Sequence, residues 1–240
     1  MVYRTPPVIE AVIGTQISPR LSQRDVERVR DRLKKRYPSI QVNNSMRIDV
    51  AASGVASVSL DATGYVLRSA DAARFAIIQK DGWSAGLSAP YPGWNDLKKE
   101  FIEAFGIIHR IIESRPITRI GCRYTNRIDI PSEIFTKHTM NELFSISANT
   151  PNNQDYAYTG TAMNTQFKHL PTGASVIINF GNLLPLLIGF DSVNLDIDVS
   201  FNNMNEINKN NVLERVEVLR GVQNSVFEQS ISGIVRGLIR

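Results

Sequence analysis

The chain has 240 residues, 42% apolar and 21% charged, a balance that fits one large or two small globular domains and excludes a disordered chain. Its one cysteine, Cys122, excludes an internal disulfide and a cysteine-only zinc site. No apolar run approaches the roughly 20 residues that a membrane-spanning helix needs. The formal charge of +4 is unevenly placed: residues 1–116 hold 17 basic and 12 acidic side chains, and residues 117–240 hold 10 and 11. Residues 20–36 alone carry eight basic and three acidic groups, a local patch suited to an anionic surface. The start of the chain lacks the layout of a signal peptide, so the expectation is a reduced, cytoplasmic protein.

In chain order, Pro6-Pro7 fixes an extended entry and residues 8–18 alternate as a strand. Ile9, Ala11, Ile13 and Ile17 form its apolar face; Glu10, Gly14 and Gln16 lie opposite with Val8 and Val12. Ser22, with Asp25 three residues on, follows the capping-box pattern, and Val26, Val29, Leu33 and Tyr37 then recur at helical spacing until Pro38. Short strands are expected over 47–52, 55–60 and 65–69. A hairpin pairs 75–80 with 83–87 around Asp81-Gly82.

Pro90-Tyr91-Pro92-Gly93 breaks the chain before a helix over 94–114, whose broad apolar stripe suits a helix lying across a sheet. Residues 117–130 form a long strand, 140–146 a short helix and 148–155 a loose loop rich in Asn. A second hairpin joins 158–170 to 174–180 around Pro171-Thr172-Gly173, and 186–200 is a further strand. Residues 208–238 are helical by spacing, with Gly221 and Gly233 as candidate breaks.

The strand over 117–130 is the most informative stretch. Alternation places Ile120, Cys122, Tyr124, Asn126, Ile128 and Ile130 on one face, with Tyr124 and Asn126 expected as packing and a satisfied buried amide. The other face carries Arg119, Arg123 and Arg127, roughly 13 Å apart in sequence along the strand. Guanidinium groups in such a row can grip phosphates or a partner's carboxylates. They can equally be closed by cross-strand ion pairs, for which Glu10, Asp196 and Asp198 are the available partners. A second anion-binding candidate is the basic helix, through Arg24, Arg28 and Lys35. Its plain alternative is a solvated face with Asp25, Glu27 and Asp31 as local partners.

Asp196 and Asp198 share a strand face, but no histidine or third acid stands at ligand spacing, so no metal is expected. No catalytic or phosphate-loop motif occurs, the three histidines are scattered, and no cofactor or catalytic residue is assigned.

Three short pieces carry a resemblance: Pro6-Pro7-Val8-Ile9-Glu10-Ala11-Val12-Ile13 at the start, Ile120-Gly121-Cys122-Arg123-Tyr124-Thr125-Asn126-Arg127-Ile128 at mid-chain, and Tyr91-Pro92-Gly93-Trp94 at a helix entry. In these pieces and in layout the chain resembles a sporadically distributed family of bacterial proteins of about this length with no established activity. Cys122 stands where such chains often have an aliphatic residue. The resemblance implies mobile-element, toxin–antitoxin or antiphage surroundings.

The expected fold is α+β: a curved, mostly antiparallel sheet with two long packed helices. It divides into halves at 1–116 and 117–240 that repeat a strand–helix–strands–helix plan, with a duplicated ferredoxin-like arrangement as the alternative. The expected function is a non-catalytic binding component of a bacterial defence or toxin–antitoxin system, acting on a protein partner and not on a membrane. The alternatives are an RNA-binding or RNA-processing protein, and a small-ligand pocket between the sheet and a long helix.

Overall fold

A computed structural model describes residues 3–50, 56–112, 115–146, 159–207 and 211–239. The chain runs β1 (Val8–Ile17), α1 (Gln23–Leu33), β2 (Ser39–Val50), β3 (Ala56–Arg68), β4 (Arg74–Gln79), β5 (Gly82–Ser88), α2 (Trp94–Ile112) and β6 (Ile117–Pro131). It continues with α3 (Ser132–Phe135), α4 (Met140–Leu143), β7 (Ala162–His169), β8 (Ala174–Leu183), β9 (Phe190–Ile207), α5 (Val212–Ser230) and α6 (Gly233–Leu238). The nine strands form one open antiparallel sheet in the order β2-β3-β4-β5-β1-β6-β9-β8-β7. The architecture is therefore mixed α and β, and the 1–116 and 117–240 segments meet where β1 pairs with β6.

Alternation decides which face of β6 is covered. Ile120, Cys122, Ile128 and Ile130 are fully buried, and Tyr124 and Asn126 nearly so. Their neighbours on the other face, apart from Gly121, stay partly open to water, as an antiparallel sheet allows. Over the covered face, α2 lies against β1 and β5, and α5 against β6 and β9. The apolar residues of α1, α2 and α5 join one continuous core with the sheet. No described helix is long and apolar enough to cross a membrane.

Several boundaries differ from the expectations, each for a local reason. In β1 the buried residue is Val8, while Ile9 is 39% exposed, because a register shift between Val8 and Glu10 interrupts the pairing with β6. The β4–β5 turn is Lys80-Asp81, not Asp81-Gly82. Gly82 already belongs to β5, where a Cβ would collide with the carbonyl of Thr15 on β1. The strands expected over 55–60 and 65–69 are a single strand, β3, and β2 begins directly after Pro38.

Residues 186–189 do not extend a strand; β9 starts at Phe190, after Gly189 at φ 80°. The C-terminal helix breaks at extended Ile231, and Ser232 caps α6, whereas Gly221 lies undisturbed within α5. The loop expected over 148–155 lies outside the described residues.

The capping box at the start of α1 forms as its spacing predicts: the Asp25 backbone N–H donates to Ser22 Oγ, and the Ser22 backbone N–H to the Asp25 carboxylate. At the other end of α1 the chain is fixed to α2 by a buried charge. Glu100, 3% exposed, accepts from the Tyr37 hydroxyl and from the Arg36 guanidinium, which also reaches Glu103. Burial and the neighbouring Glu100 carboxylate push the Tyr37 phenol well above its ordinary range, so it stays a donor. Removing one partner of a buried pair leaves the other charge uncompensated. Arg36→Met is expected to lower the unfolding free energy by about 3 kcal/mol in urea denaturation. A loss below about 1 kcal/mol would show that water already solvates the Glu100 carboxylate.

Candidate functional site

Arg119, Arg123 and Arg127 project from the open face of β6, and each guanidinium leans towards the strand's C-terminal end. Arg119 reaches across Gly121 to Asp198, at 2.7 and 3.0 Å; a Cβ on Gly121 would stand 2.7 Å from that guanidinium. Arg123 is opposite Asp198 in register but forks onto Asp196, with Nε at 2.8 Å from Oδ1 and a terminal nitrogen at 2.7 Å from Oδ2. Asn179 on β8 also donates to Asp196, at 2.9 Å.

Arg127 donates to Asp129 at 3.0 Å, to Ser192 at 2.7 Å and to the Leu184 carbonyl at 3.0 Å. It thereby holds the strongly exposed apolar loop that contains Leu184, Leu186 and Ile188. The row is a diagonal ladder spanning β6, β8 and β9. Hydrogen bonding to Asp196 holds the Arg123 guanidinium above its ordinary range, and burial raises the Asp198 carboxyl despite Arg119 and Arg123 nearby. Glu10 makes no direct ion pair among the described residues and acts on Arg123 through its charge.

The basic helix divides differently. Arg30 donates to Tyr65 and Asp31 and stacks on the Tyr65 ring, and Arg36 is taken by Glu100. Arg28 has only a long contact of 3.5 Å with Asp25. Arg24, Arg32 and Lys35 are exposed and have no ion-pair partner among the described residues. With Arg28 they fall at steps of four, four and three residues, so all four share one face of α1 and its following turn.

A third feature is a cavity of about 360 Å³ between the N-terminus of α2, the middle of α5 and the β1–β6 pair. Tyr91, Trp94, Tyr124 and Phe227 line it, together with Asn126, Arg220 and Gln223. The Tyr91 and Tyr124 hydroxyls lie 2.9 Å apart, and burial pushes the Tyr91 phenol up to about 12. Arg220 packs over the Trp94 ring at 5.0 Å. Nothing in the spacing of the sequence brought these residues together, since they come from four separate elements. The buried Asn126 and the Tyr91-Pro92-Gly93-Trp94 entry were its only visible parts.

Chemistry is sparse elsewhere. Among the described residues no three His, Cys, Asp or Glu side chains cluster as a metal site. The histidines are separately engaged: His109 stacks on Phe105, His138 faces Glu142, and His169 bonds to Thr172. No protein-family model matches the chain, and no curated protein matches it.

Cys122 is fully buried on the core face of β6, and burial pushes its thiol far above the range of a reactive cysteine. In the folded protein at pH 8 it is expected to resist a disulfide reagent such as DTNB and to react stoichiometrically after denaturation. Rapid labelling without denaturant would contradict the buried thiol.

Proposed function

We propose that this protein is a non-catalytic binding component. Its β6 arginine row is part of the scaffold, and it recognises an anionic protein surface through the free cations of α1. The observation that carries this is the contrast between the two basic regions. The row on β6 is engaged by Asp196, Asp198, Asp129 and Ser192, whereas Arg24, Arg32 and Lys35 stand exposed and unpaired. Exposed charges steer association and set partner choice, and exposed cations that hold no ion-pair partner among the described residues are available to a partner's carboxylates. No aromatic side chain interleaves the stripe, as a stacking platform for single-stranded nucleic acid requires. On the family resemblance, we place the protein in a bacterial defence or toxin–antitoxin type system.

We also infer that the chain arose by duplication of a strand–helix–strands–helix unit. Support comes from the strand order, in which β1 and β6 meet at the centre, β5-β4-β3-β2 extends to one side and β9-β8-β7 to the other. Each half places a 19-residue helix, after its last strand, over its first strand and that strand's neighbour from the same half: α2 over β1 and β5, and α5 over β6 and β9.

The two basic regions separate by mutation. The Arg24→Glu/Arg28→Glu/Lys35→Glu variant is expected to lose co-purifying partner while its melting temperature stays within about 2 °C, because exposed substitutions cost little stability. Arg123→Glu should instead set a second carboxylate against buried Asp196 and lower the melting temperature by several degrees, on the order of 1–3 kcal/mol. Loss of partner with Arg123→Glu at unchanged stability would return recognition to β6. Filter binding of RNA with a steep negative dependence on salt would make nucleic acid the partner.

A further inference from the structure

Folding leaves polar groups in the cavity between α2 and α5 without partners. Gln223 is 3% exposed and lines the cavity, yet its carboxamide forms no hydrogen bond among the described residues. A carboxamide without a protein partner on a cavity wall can meet another molecule's polar edge. Asn126, 1% exposed, donates from Nδ2 to the Leu195 carbonyl at 2.8 Å, while its Oδ1 accepts from no described group.

Arg220 is the third such group. Its Nε is buried without a partner, and no described carboxylate pairs with its guanidinium. Glu217, one turn before it, is held instead by Lys98 at 2.5 Å and by the Trp94 indole. Glu228, also on the lining, is taken by Tyr3 and Arg236. A guanidinium kept from its neighbouring carboxylates and stacked on an indole is presented as an anion receptor. The N-terminus of the 19-residue α2 opens on the same cavity at Trp94, Asn95 and Asp96, but the first-turn Asp96 carboxylate already offsets its dipole, so the anion rests on Arg220.

We propose that this cavity binds a ligand of nucleoside-monophosphate size, a planar heterocycle carrying one anionic group, with Arg220 on the anion and the Gln223 and Asn126 carboxamides on the ring edge. The Gln223 carboxamide can present a donor beside an acceptor, as a nucleobase edge requires, and Asn126, whose Nδ2 is taken by backbone carbonyls, adds its Oδ1 as an acceptor. Tyr91, Tyr124 and Phe227 supply ring surfaces to pack on the heterocycle. The volume of about 360 Å³ is within the range of small-ligand pockets. The Asp96 carboxylate on the lining opposes a longer polyphosphate.

The full-length protein can be titrated with AMP, CMP, GMP and UMP in turn, and with ATP, inorganic phosphate and phenylacetate, following tryptophan fluorescence. Trp94 reports on the cavity, because Trp83 is 5% exposed and stacks on Phe101 in the core. At least one monophosphate is expected to give a saturable change and to raise the melting temperature. Arg220→Gln should weaken it about tenfold or more, the effect of losing a charged hydrogen-bonding partner. Asn224→Asp, an exposed change on the rim, should weaken it too without altering the stability of the free protein. Arg24→Glu should leave it unchanged, which keeps this result separate from partner recognition by α1. The proposal is overturned if no monophosphate binds, if neither cavity variant weakens binding, or if inorganic phosphate or phenylacetate binds as tightly. ATP binding more tightly than every monophosphate would also overturn it.

Discussion

The diagonal pairing of β6 arginines with β9 carboxylates is the constraint around which the middle of the sheet is arranged. The antiparallel register brings Arg119 onto Asp198 and Arg123 onto Asp196, while Arg127 pairs with Asp129 on its own strand. The opposite face of the same strand is almost wholly buried. A slip of one residue would therefore turn arginines into the core and isoleucines towards water. The ion pairs and the apolar face select the same register, and β1 on one side and β8 on the other are aligned from there.

That arrangement changes what the arginines mean. Guanidinium groups on a strand look like a recognition surface when the strand is considered alone. Set beside β9, the forks of Arg119 and Arg123 are filled by Asp198 and Asp196, while Arg127 takes Asp129 on its own strand and Ser192 on β9 and ties down the β8–β9 connection. Unsatisfied polar groups collect instead on the helix side, where α5 faces the entry to α2. There the local carboxylates are claimed by Lys98, Tyr3 and Arg236, and Arg220, Gln223 and Asn126 are left facing a cavity. The exposed cations of α1 that have no ion-pair partner among the described residues form a second, separate surface.

Much of this architecture is written in local sequence. The alternation of β6, the helical spacing in α2, the capping box at Ser22 and the turn before Gly173 all rest on interactions within a few residues and are found where their patterns put them, whereas α1 ends at Leu33, one turn short of the Tyr37 that its spacing included. Errors arise where a neighbour in space decides. Gly82 looks like a turn glycine, but the approach of Thr15 is what requires it. The run after Leu183 is apolar enough for a strand, yet Leu184, Leu186 and Ile188 point to water, and pairing with β6 begins only at Phe190.

By itself the sequence determined an α+β chain, the inward and outward faces of its central strand, and the position of its basic helix, because side-chain periodicity and capping are short-range properties. Only the tertiary structure decided which charges are neutralised and which polar groups remain free. Asp196 is 73 positions from Arg123, and Arg220 is 126 from Trp94, yet folding sets each pair in contact. Coulombic pairing and cavity formation depend on distance in space, which no spacing along the chain records.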